Sequence, residues 1–461
     1  MASYSGAECL FLSLLLSIFF ALSGGYLGGT TQPEVTIPQG TLQGKIMTTT
    51  HGRKISAFLG IPYAQPPVKN KRFANPVPAD GWEGIRNATA DGNFCPQISS
   101  RDYITSVGDE DCLNLNVFTP QMSGGKNSSL LPVMVYVFGG RFMIGSANSS
   151  VYGPEYLLNQ DVVLVTFNYR LGALGFLSTG DKVASGNWGL KDQVLALEWV
   201  QRNIRYFHGD RDRVTLFGHS SGSACVHLLT LSKLTIGFYE KEGWLEDFLE
   251  NFDHLLPIYL YWSYQPDSGA AWVKAAKSYF FNNIETMNRN ELLTNLTLLV
   301  GDALFTYPMY SSLLHQHAVA VNPQYFYDFR YRGTWSNTYV YGNTLKDYGV
   351  THADDLVYIF PYADHNIMLA LNKTASKTDI QMREIMVQLW TSFATHGKPS
   401  TLFFRGNTTW EPYSEEDNFL RIGDRSEITL EVEHSVSRER MQFWANLERN
   451  TSEAETIVSI H

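Results

Sequence analysis

The sequence predicts an α/β fold in which a mostly parallel, twisted sheet is covered by helices on both faces. Residues 132–138 and 162–169 are continuous apolar runs, which are typical of strands buried on both faces of a parallel sheet. Before a further apolar run at 214–217, residues 190–207 place apolar side chains at spacings of three and four, which predicts an amphipathic helix. Strands that alternate with helices in this order indicate a doubly wound sheet.

Antiparallel strands are predicted on the N-terminal side of this sheet. Residues 35–54 contain short extended segments separated by turns, and residues 113–118 alternate between apolar and polar side chains. With 461 residues, of which 44% are hydrophobic, the chain can bury one large core as a single domain. Its net charge of −10 argues against the basic face that nucleic-acid binding requires, so we expect no nucleic-acid partner.

The N-terminal residues indicate secretion. Residues 10–22 form an apolar stretch interrupted only by serines, too short to span a bilayer comfortably and typical of the hydrophobic region of a signal peptide. Small residues follow it, which predicts a signal peptide over 1–23 and a secreted domain over 24–461 without a stable membrane anchor. Residues 1–9 carry no Lys or Arg, which is unusual for a signal peptide, and a single N-terminal membrane anchor is the alternative.

Seven N-x-[ST] sequences agree with this prediction, because a secreted chain passes through the compartment in which such asparagines are glycosylated. The predicted glycosylation sites are Asn87, Asn127, Asn148, Asn295, Asn372, Asn407 and Asn450.

The clearest chemical signal is residues 218–222, with the sequence GHSSG, which follow the predicted strand 214–217. A G-x-S-x-G pattern between a buried strand and a helix is typical of a nucleophile elbow. The glycines permit a turn that leaves no room for Cβ atoms, and this turn exposes Ser220 Oγ. The following helix directs its N-terminal N–H groups at the carbonyl on which negative charge develops. Ser220 is therefore the predicted nucleophile.

Five blocks of the sequence resemble the type-B carboxylesterase/cholinesterase family. Residues 110–117, EDCLNLNV, are similar to the family's EDCLxLN[IV] signature, and residues 207–222 are similar to its serine signature. Three shorter blocks are also similar: 60–64, 168–172 and 186–193. The resemblance runs from about residue 35 to residue 443 with one gap. It implies an α/β-hydrolase fold and hydrolysis of small-molecule carboxylic esters by a Ser-His-Glu triad. No spacing of histidines and carboxylates resembles a set of metal ligands, so we expect no metal or other cofactor.

The resemblance assigns the other two members of the triad. Residues 349–356 resemble the family's histidine loop, which makes His352 the general base. Residues 236–243 resemble the strand end that carries the acid, which makes Glu242 the carboxylate that orients the imidazole. Glu240 is the alternative acid.

The resemblance also implies an oxyanion hole made by the backbone N–H groups of Gly140, Arg141 and Ser221. Arg141 departs from the family, which usually has a small residue at this point of a glycine-rich loop. A long cation here could narrow the acyl pocket or favour anionic acyl groups, or its side chain could turn to solvent.

The cysteines predict one disulfide. Cys9 leaves with the signal peptide, and Cys95 and Cys112 are close enough in sequence to pair in an oxidising compartment. Cys225 is then expected to be a buried, unreactive thiol. The resemblance implies further structural braces, the ion pairs Arg72–Glu110 and Arg170–Asp192.

One interval departs from the family. Only 22 positions separate Ser220 from Glu242, whereas the family has a far longer interval that includes a strand and several helices. The elbow helix joins the segment before the acid directly near residues 233/234, which predicts that one internal block is missing. We expect an exposed apolar surface, weak stability and low or absent activity. The alternatives to an active secreted esterase are an inactive splice product and a non-catalytic, cholinesterase-like adhesion or binding protein.

Overall fold

A computed structural model describes ten ranges of the chain: 32–99, 104–120, 129–181, 183–231, 269–282, 286–319, 322–338, 349–361, 374–406 and 408–458. The predicted signal peptide and the 233/234 junction lie outside these ranges.

Within the described residues the chain forms fourteen strands and eight α-helices. The strands are β1 (Glu34–Ile37), β2 (Gly40–Gln43), β3 (Lys45–Thr48), β4 (Lys54–Pro62), β5 (Ile85–Asn87), β6 (Gln97–Ile98), β7 (Ser106–Val107), β8 (Asn114–Thr119), β9 (Leu131–Val137), β10 (Val163–Phe167), β11 (Gly209–Gly218), β12 (Tyr327–Tyr331), β13 (Asn418–Arg425) and β14 (Glu427–His434). The helices are α1 (Gly172–Phe176), α2 (Trp188–Asn203), α3 (Ser221–Leu231), α4 (Gly269–Phe280), α5 (Arg289–Gly301), α6 (Tyr307–His317), α7 (Lys377–His396) and α8 (Arg438–Val458).

The central sheet has six strands in the order β11-β9-β10-β8-β4-β3. Strand β9 is parallel to both β10 and β11, and the remaining pairings are antiparallel. The parallel part that carries the elbow therefore has three strands, and the predicted N-terminal antiparallel strands extend it on one side.

The middle of this sheet is covered on both faces. Every residue of β8, β9 and β10 is buried, which explains why β9 and β10 are largely continuous apolar runs; the polar residues of β8, such as Asn114 and Asn116, are buried as well. Strand β11 differs, because its residues from Arg213 to Gly218 are only half-buried. Among the described residues it pairs with β9 alone, so it forms one edge of the sheet as described.

A second sheet, in the order β12-β13-β14, stands beside the first. Helix α7 connects the two, since it contacts β9 and β11 in one sheet and β14 in the other. This helix begins at a capping box, in which Ser376 and Asp379 bond each other's backbone N–H groups, and Gly397 caps its C-terminal end. The second sheet and α7 share the large apolar core of the first sheet.

Helices α4, α5, α6 and α8 surround a smaller apolar core that includes Phe280, Leu299 and Trp444. A π-helical turn, Asp302–Thr306, joins α5 to α6. The buried carboxylate of Asp302 accepts a hydrogen bond of 2.6 Å from Arg440 Nε, which fixes the turn against α8. Such turns occur frequently at functional sites, and this one carries a side chain into the site described below.

The expected braces are present in the structure. Cys95 and Cys112 form a disulfide with a Cα–Cα distance of 4.9 Å, and Cys225 is a buried free thiol. Two charged pairs are bidentate: Arg72 with Glu110, which is partly exposed, and Arg170 with Asp192, which is buried.

Candidate active site

The elbow has the geometry that its sequence predicts. Strand β11 ends at Gly218, α3 begins at Ser221, and Ser220 between them has a positive φ of 54°. The turn packs so tightly on the end of β9 that a Cβ at Gly222 would collide with the carbonyl oxygen of Val137. The Ser220 carbonyl accepts hydrogen bonds from Ser223 Oγ and from a backbone N–H of α3. Ser220 is therefore held in a strained backbone conformation and remains half-exposed.

His352 reaches the elbow from the loop that precedes the 3-10 turn Leu356–Tyr358. Its ring centroid lies 5.6 Å from that of His219, the residue directly before Ser220. No hydrogen bond joins Ser220 Oγ to His352 in the part of the chain that the structure describes. In a site without substrate such bonds are often long and tighten when substrate binds.

A buried carboxylate holds the histidine loop in shape. Asp354 accepts hydrogen bonds from Ser336 Oγ, from the Asn337 N–H and from the Thr351 N–H, at 2.7 to 2.9 Å. Asn337 also donates its side-chain amide to the carbonyl of Ala353, which has a φ of 68°. Burial raises the pKa of Asp354 to about 6, and these hydrogen bonds act in the opposite direction. Asp354 thus braces the histidine loop.

Two opposing effects act on the pKa of His352. Desolvation by the surrounding atoms lowers the pKa of its imidazole, although the residue is exposed, and the nearby carboxylate of Asp355 raises it. Asp355 accepts a hydrogen bond of 2.9 Å from the hydroxyl of Tyr327 on β12. Burial raises the pKa of Asp355, while the Tyr327 bond and the charge of His352 lower it. The net result is a lowered pKa for His352, which favours its neutral, proton-accepting form.

The loop after β9, residues 138–142, is the oxyanion loop, because it contains two of the predicted oxyanion donors. Arg141 and Phe142 both have left-handed backbones, with φ of 59° and 61°. The N–H of Phe142 donates a hydrogen bond of 3.2 Å to Ser221 Oγ, which couples this loop to the first residue of α3. The backbones of Gly140, Arg141 and Ser221 therefore lie on two segments that are joined next to the nucleophile.

Comparison with known proteins gives the family. Residues 31–242 and 237–444 match the model of the carboxylesterase family. The chain belongs to the carboxylesterase family. The predicted family is confirmed, and the chain is a serine esterase of the carboxylic ester hydrolase class.

Two relatives and one solved structure show how far the similarity extends. A juvenile hormone esterase from Tribolium castaneum is 29% identical over 564 residues, covering 90% of this chain and 94% of the relative. Esterase E4 from Myzus persicae is 44% identical over 232 residues, covering 50% of this chain and 42% of the relative. The crystal structure of juvenile hormone esterase from Manduca sexta superposes with a TM-score of 0.73 and 22% identity, over 91% of this chain and all of that one. The α/β-hydrolase fold is confirmed.

Several predicted site residues of the carboxylesterase lie outside the described ranges. These are the acid Glu242, its alternative Glu240, and the glycosylation sites Asn127, Asn372 and Asn407.

The remaining predicted glycosylation sites differ in exposure. Asn87 is exposed and Asn148 is half-buried. Asn295 is also half-buried, and its amide nitrogen, to which a glycan would be attached, already donates a hydrogen bond of 2.8 Å to the Phe280 carbonyl. Asn450 lies in α8, and its side chain is outside the described part.

Sequence reasoning missed two residues at this site. Phe305 lies on the π-helical turn, 41% exposed, with its ring centroid 4.9 Å from that of His352. His219 occupies the variable position before the nucleophile. Only the place of His219 within the G-x-S-x-G pattern could have drawn attention to it, and no local pattern marks Phe305.

Within the described ranges no group of three His, Cys, Asp or Glu side chains is arranged to hold a metal ion. A helix long and apolar enough to cross a membrane is likewise not found in those ranges.

Proposed function

We propose that this carboxylesterase cleaves small-molecule carboxylic esters through an acyl-enzyme, with Ser220 as nucleophile, His352 as general base and Glu242 as the orienting acid. The observation that carries the proposal is the approach of the His352 ring to the strained elbow, across a long stretch of sequence. An exposed serine hydroxyl in an elbow needs such a base, because the neutral hydroxyl is a weak nucleophile.

The reaction follows from these positions. His352 removes the proton of Ser220 as its Oγ attacks the ester carbonyl, and the N–H groups of Gly140, Arg141 and Ser221 stabilise the oxyanion. His352 then gives the proton to the leaving alcohol as the carbon–oxygen bond breaks. Water, deprotonated by the same imidazole, attacks the acyl-enzyme, which releases the acid and returns the proton to Ser220.

The role of Glu242 is compatible with the length of chain available. Helix α3 runs about 16 Å from Ser221 to Leu231 at about 1.5 Å per residue. The eleven positions from Leu231 to Glu242 can extend to about 36 Å at about 3.3 Å per residue, so the carboxylate can return to the elbow end of β11.

We also propose that an internal block is missing between Ser220 and Glu242. The alignment with the Tribolium castaneum relative extends over 564 positions although this chain has 461 residues, so more than a hundred positions are gaps in this chain. The two matches to the family meet at residues 237–242, and β11 is half-buried. These observations favour a weakened enzyme as the second candidate, with reduced stability and slow turnover.

We also propose that the chain is secreted. The apolar stretch over 10–22 supports a cleaved signal peptide over 1–23, and the exposed Asn87 supports N-glycosylation of the mature chain. Expression in insect cells should release a chain that begins near residue 24 and shifts to lower mass with a glycosidase. Retention of residues 1–23 in the membrane fraction would refute this part.

Ester turnover by the purified chain tests the catalytic roles. We expect wild-type protein to hydrolyse p-nitrophenyl butyrate, and Ser220→Ala and His352→Gln each to lower kcat by at least about 10³-fold. Ser223→Ala is the matched control, because this neighbouring serine points at the Ser220 carbonyl, and it should keep the rate within about threefold. Equal loss in S220A and S223A, or full activity in S220A, would refute the proposal.

A further inference from the structure

His219 stands where the elbow motif permits any residue, between Gly218 and the nucleophile Ser220. Its half-buried ring lies next to that of His352, with a centroid distance of 5.6 Å and an angle of 37° between the ring planes. The candidate site therefore contains two imidazoles, of which the proposed mechanism uses one.

The protein provides a defined place for this second ring. The hydroxyl of Tyr136, in the buried middle of β9, lies 3.4 Å from His219 Nδ1. On the oxyanion side, a Cβ at Gly139 would come within 2.8 Å of His219 Cε1 and 2.9 Å of its Nδ1. The missing side chain of Gly139 thus makes the space that the imidazole fills. The Tyr136 ring is itself packed against Phe217 and Phe360, so the position of its hydroxyl is fixed.

Among the residues that the structure describes, His352 is the one charged neighbour that acts on the pKa of His219. His219 faces the Tyr136 hydroxyl from β9, the backbone of Gly139 from the oxyanion loop and the ring of His352. His352 also faces Phe305 on the π-helical turn and the carboxylate of Asp355 on its own loop. Burial, together with the charge of a protonated His352, lowers the pKa of His219 to about 3, so His219 stays neutral while the enzyme works.

We propose that His219 is a positioning residue for the base, and that its uncharged ring packs against His352, fixes the ring plane and keeps the nucleophile side of the base free of a carboxylate. This inference rests on the proposed role of His352. A neutral neighbour leaves His352 unprotonated at lower pH than a negative neighbour would, because an opposite charge within about 4–6 Å stabilises the imidazolium.

Charge substitutions at this one position separate packing from electrostatics. His219→Gln keeps a neutral polar side chain, and His219→Glu places a carboxylate beside the base. The matched control is His315→Glu, which makes the same change on the exposed side of α6, ten residues and about 15 Å of helix beyond Phe305. Each variant is first checked for a cooperative thermal melt.

The first readout is the pH dependence of kcat/KM for p-nitrophenyl butyrate. We expect H219E to raise the midpoint of the acidic limb by about one pH unit, and H219Q and H315E to leave it within about 0.3 pH unit of wild type. H219Q should still lower the plateau kcat several-fold with KM nearly unchanged, because the His352 ring loses its neighbour. A merely structural residue would move stability without moving the midpoint. If H219E fails to melt cooperatively, H219D carries the same charge on a shorter side chain.

The second readout does not need activity. In a Ser220→Ala background, the imidazole of His352 is titrated by NMR of ¹⁵N-labelled protein, with His352→Gln to assign the signal. The H219E change should raise the titration midpoint of His352 by about the same one unit. The inference is overturned if H219E moves this midpoint no more than H315E does, or if H219Q moves it as far as H219E. If instead the proposed function is wrong, turnover will persist in S220A. The NMR titration of His352 does not depend on that outcome.

Discussion

Strands β9 and β11 are neighbours in one sheet, yet they differ in how completely they are covered. Every residue of β9 is buried between β10 and β11, whereas β11 is half-buried from Arg213 to Gly218 and pairs with β9 alone among the described residues. The oxyanion loop extends from the covered strand, and the nucleophile extends from the less covered one. The oxyanion side of this site therefore rests on a fully buried strand, whereas the nucleophile side rests on a half-buried one.

The largest expected effect identifies the carboxylate that orients His352 next to the half-buried strand β11. Glu242→Gln should lower kcat by about 10⁴-fold, because an imidazole without its acid loses the correct tautomer. Asp355→Asn should lower kcat less than about tenfold, since Asp355 acts on His352 through its charge and bonds Tyr327. Steady-state rates with p-nitrophenyl butyrate measure both. A large loss in D355N with little loss in E242Q would move the acid to the histidine loop.

The next effect concerns the stability that two ion pairs, Arg170–Asp192 and Arg72–Glu110, give to the fold. Asp192→Asn leaves the buried guanidinium of Arg170 without its charged partner and should lower the free energy of unfolding by about 3–5 kcal/mol. Glu110→Gln breaks the partly exposed pair with Arg72 and should cost about 1 kcal/mol or less. Urea unfolding followed by circular dichroism compares the two. Similar losses in both variants would mean that the Arg170–Asp192 pair is not shielded from water.

A smaller effect compares the two strands directly, with the same substitution in each. Val135→Ala in β9 should cost about 2 kcal/mol of unfolding free energy, because the side chain is fully buried and leaves a cavity. Val214→Ala in β11 should cost less than about 1 kcal/mol, because this residue is half-buried. If V214A proves as costly as V135A, then β11 is covered in solution by a part of the chain outside the described ranges.

Two further effects are expected on pH dependence. His352 must be neutral to accept the Ser220 proton, and its pKa is lowered from the ordinary value of 6.5 by desolvation. The midpoint of the acidic limb of the wild-type rate should therefore lie below pH 6.5. A profile of kcat/KM between pH 4 and pH 9 measures the midpoint. A midpoint above pH 7 would indicate that a carboxylate, and not desolvation, dominates the environment of His352.

Protonation of His219 should also lower stability in acid. Its folded-state pKa of about 3 lies below the ordinary 6.5, so the unfolded chain binds a proton first as the pH falls. The stability that the neutral ring contributes above pH 6.5 is lost between pH 6.5 and pH 3. The melting temperature should fall over this interval more steeply in wild type than in H219Q, and equal slopes would contradict the assigned pKa.

Much of the fold could be predicted because its signals are local. The apolar runs at 132–138 and 162–169 correspond to β9 and β10, and the helical pattern at 190–207 corresponds to α2 with the 3-10 turn that follows it. The start of β11 was missed, because its first residues are charged and a bulge separates Gly209 from Val214 in its pairing with β9.

The site was predictable to a similar degree. Ser220 and the oxyanion residues belong to short motifs, so their local geometry follows from the sequence. The approach of His219 and Phe305 to His352 depends on tertiary packing. His219 needs the space beside Gly139, and Phe305 needs the Asp302–Arg440 pair that fixes the π-helical turn. Neither arrangement leaves a periodic pattern that sequence reasoning could use.

The most direct test of the central claim is covalent labelling of the purified, folded chain with a fluorophosphonate, followed by peptide mass spectrometry. If the nucleophile at the end of the half-buried strand β11 still works with its base, the label will be found on Ser220 and will be lost in His352→Gln. A chain that melts cooperatively but carries no label on Ser220, or that labels equally well without His352, would contradict the account.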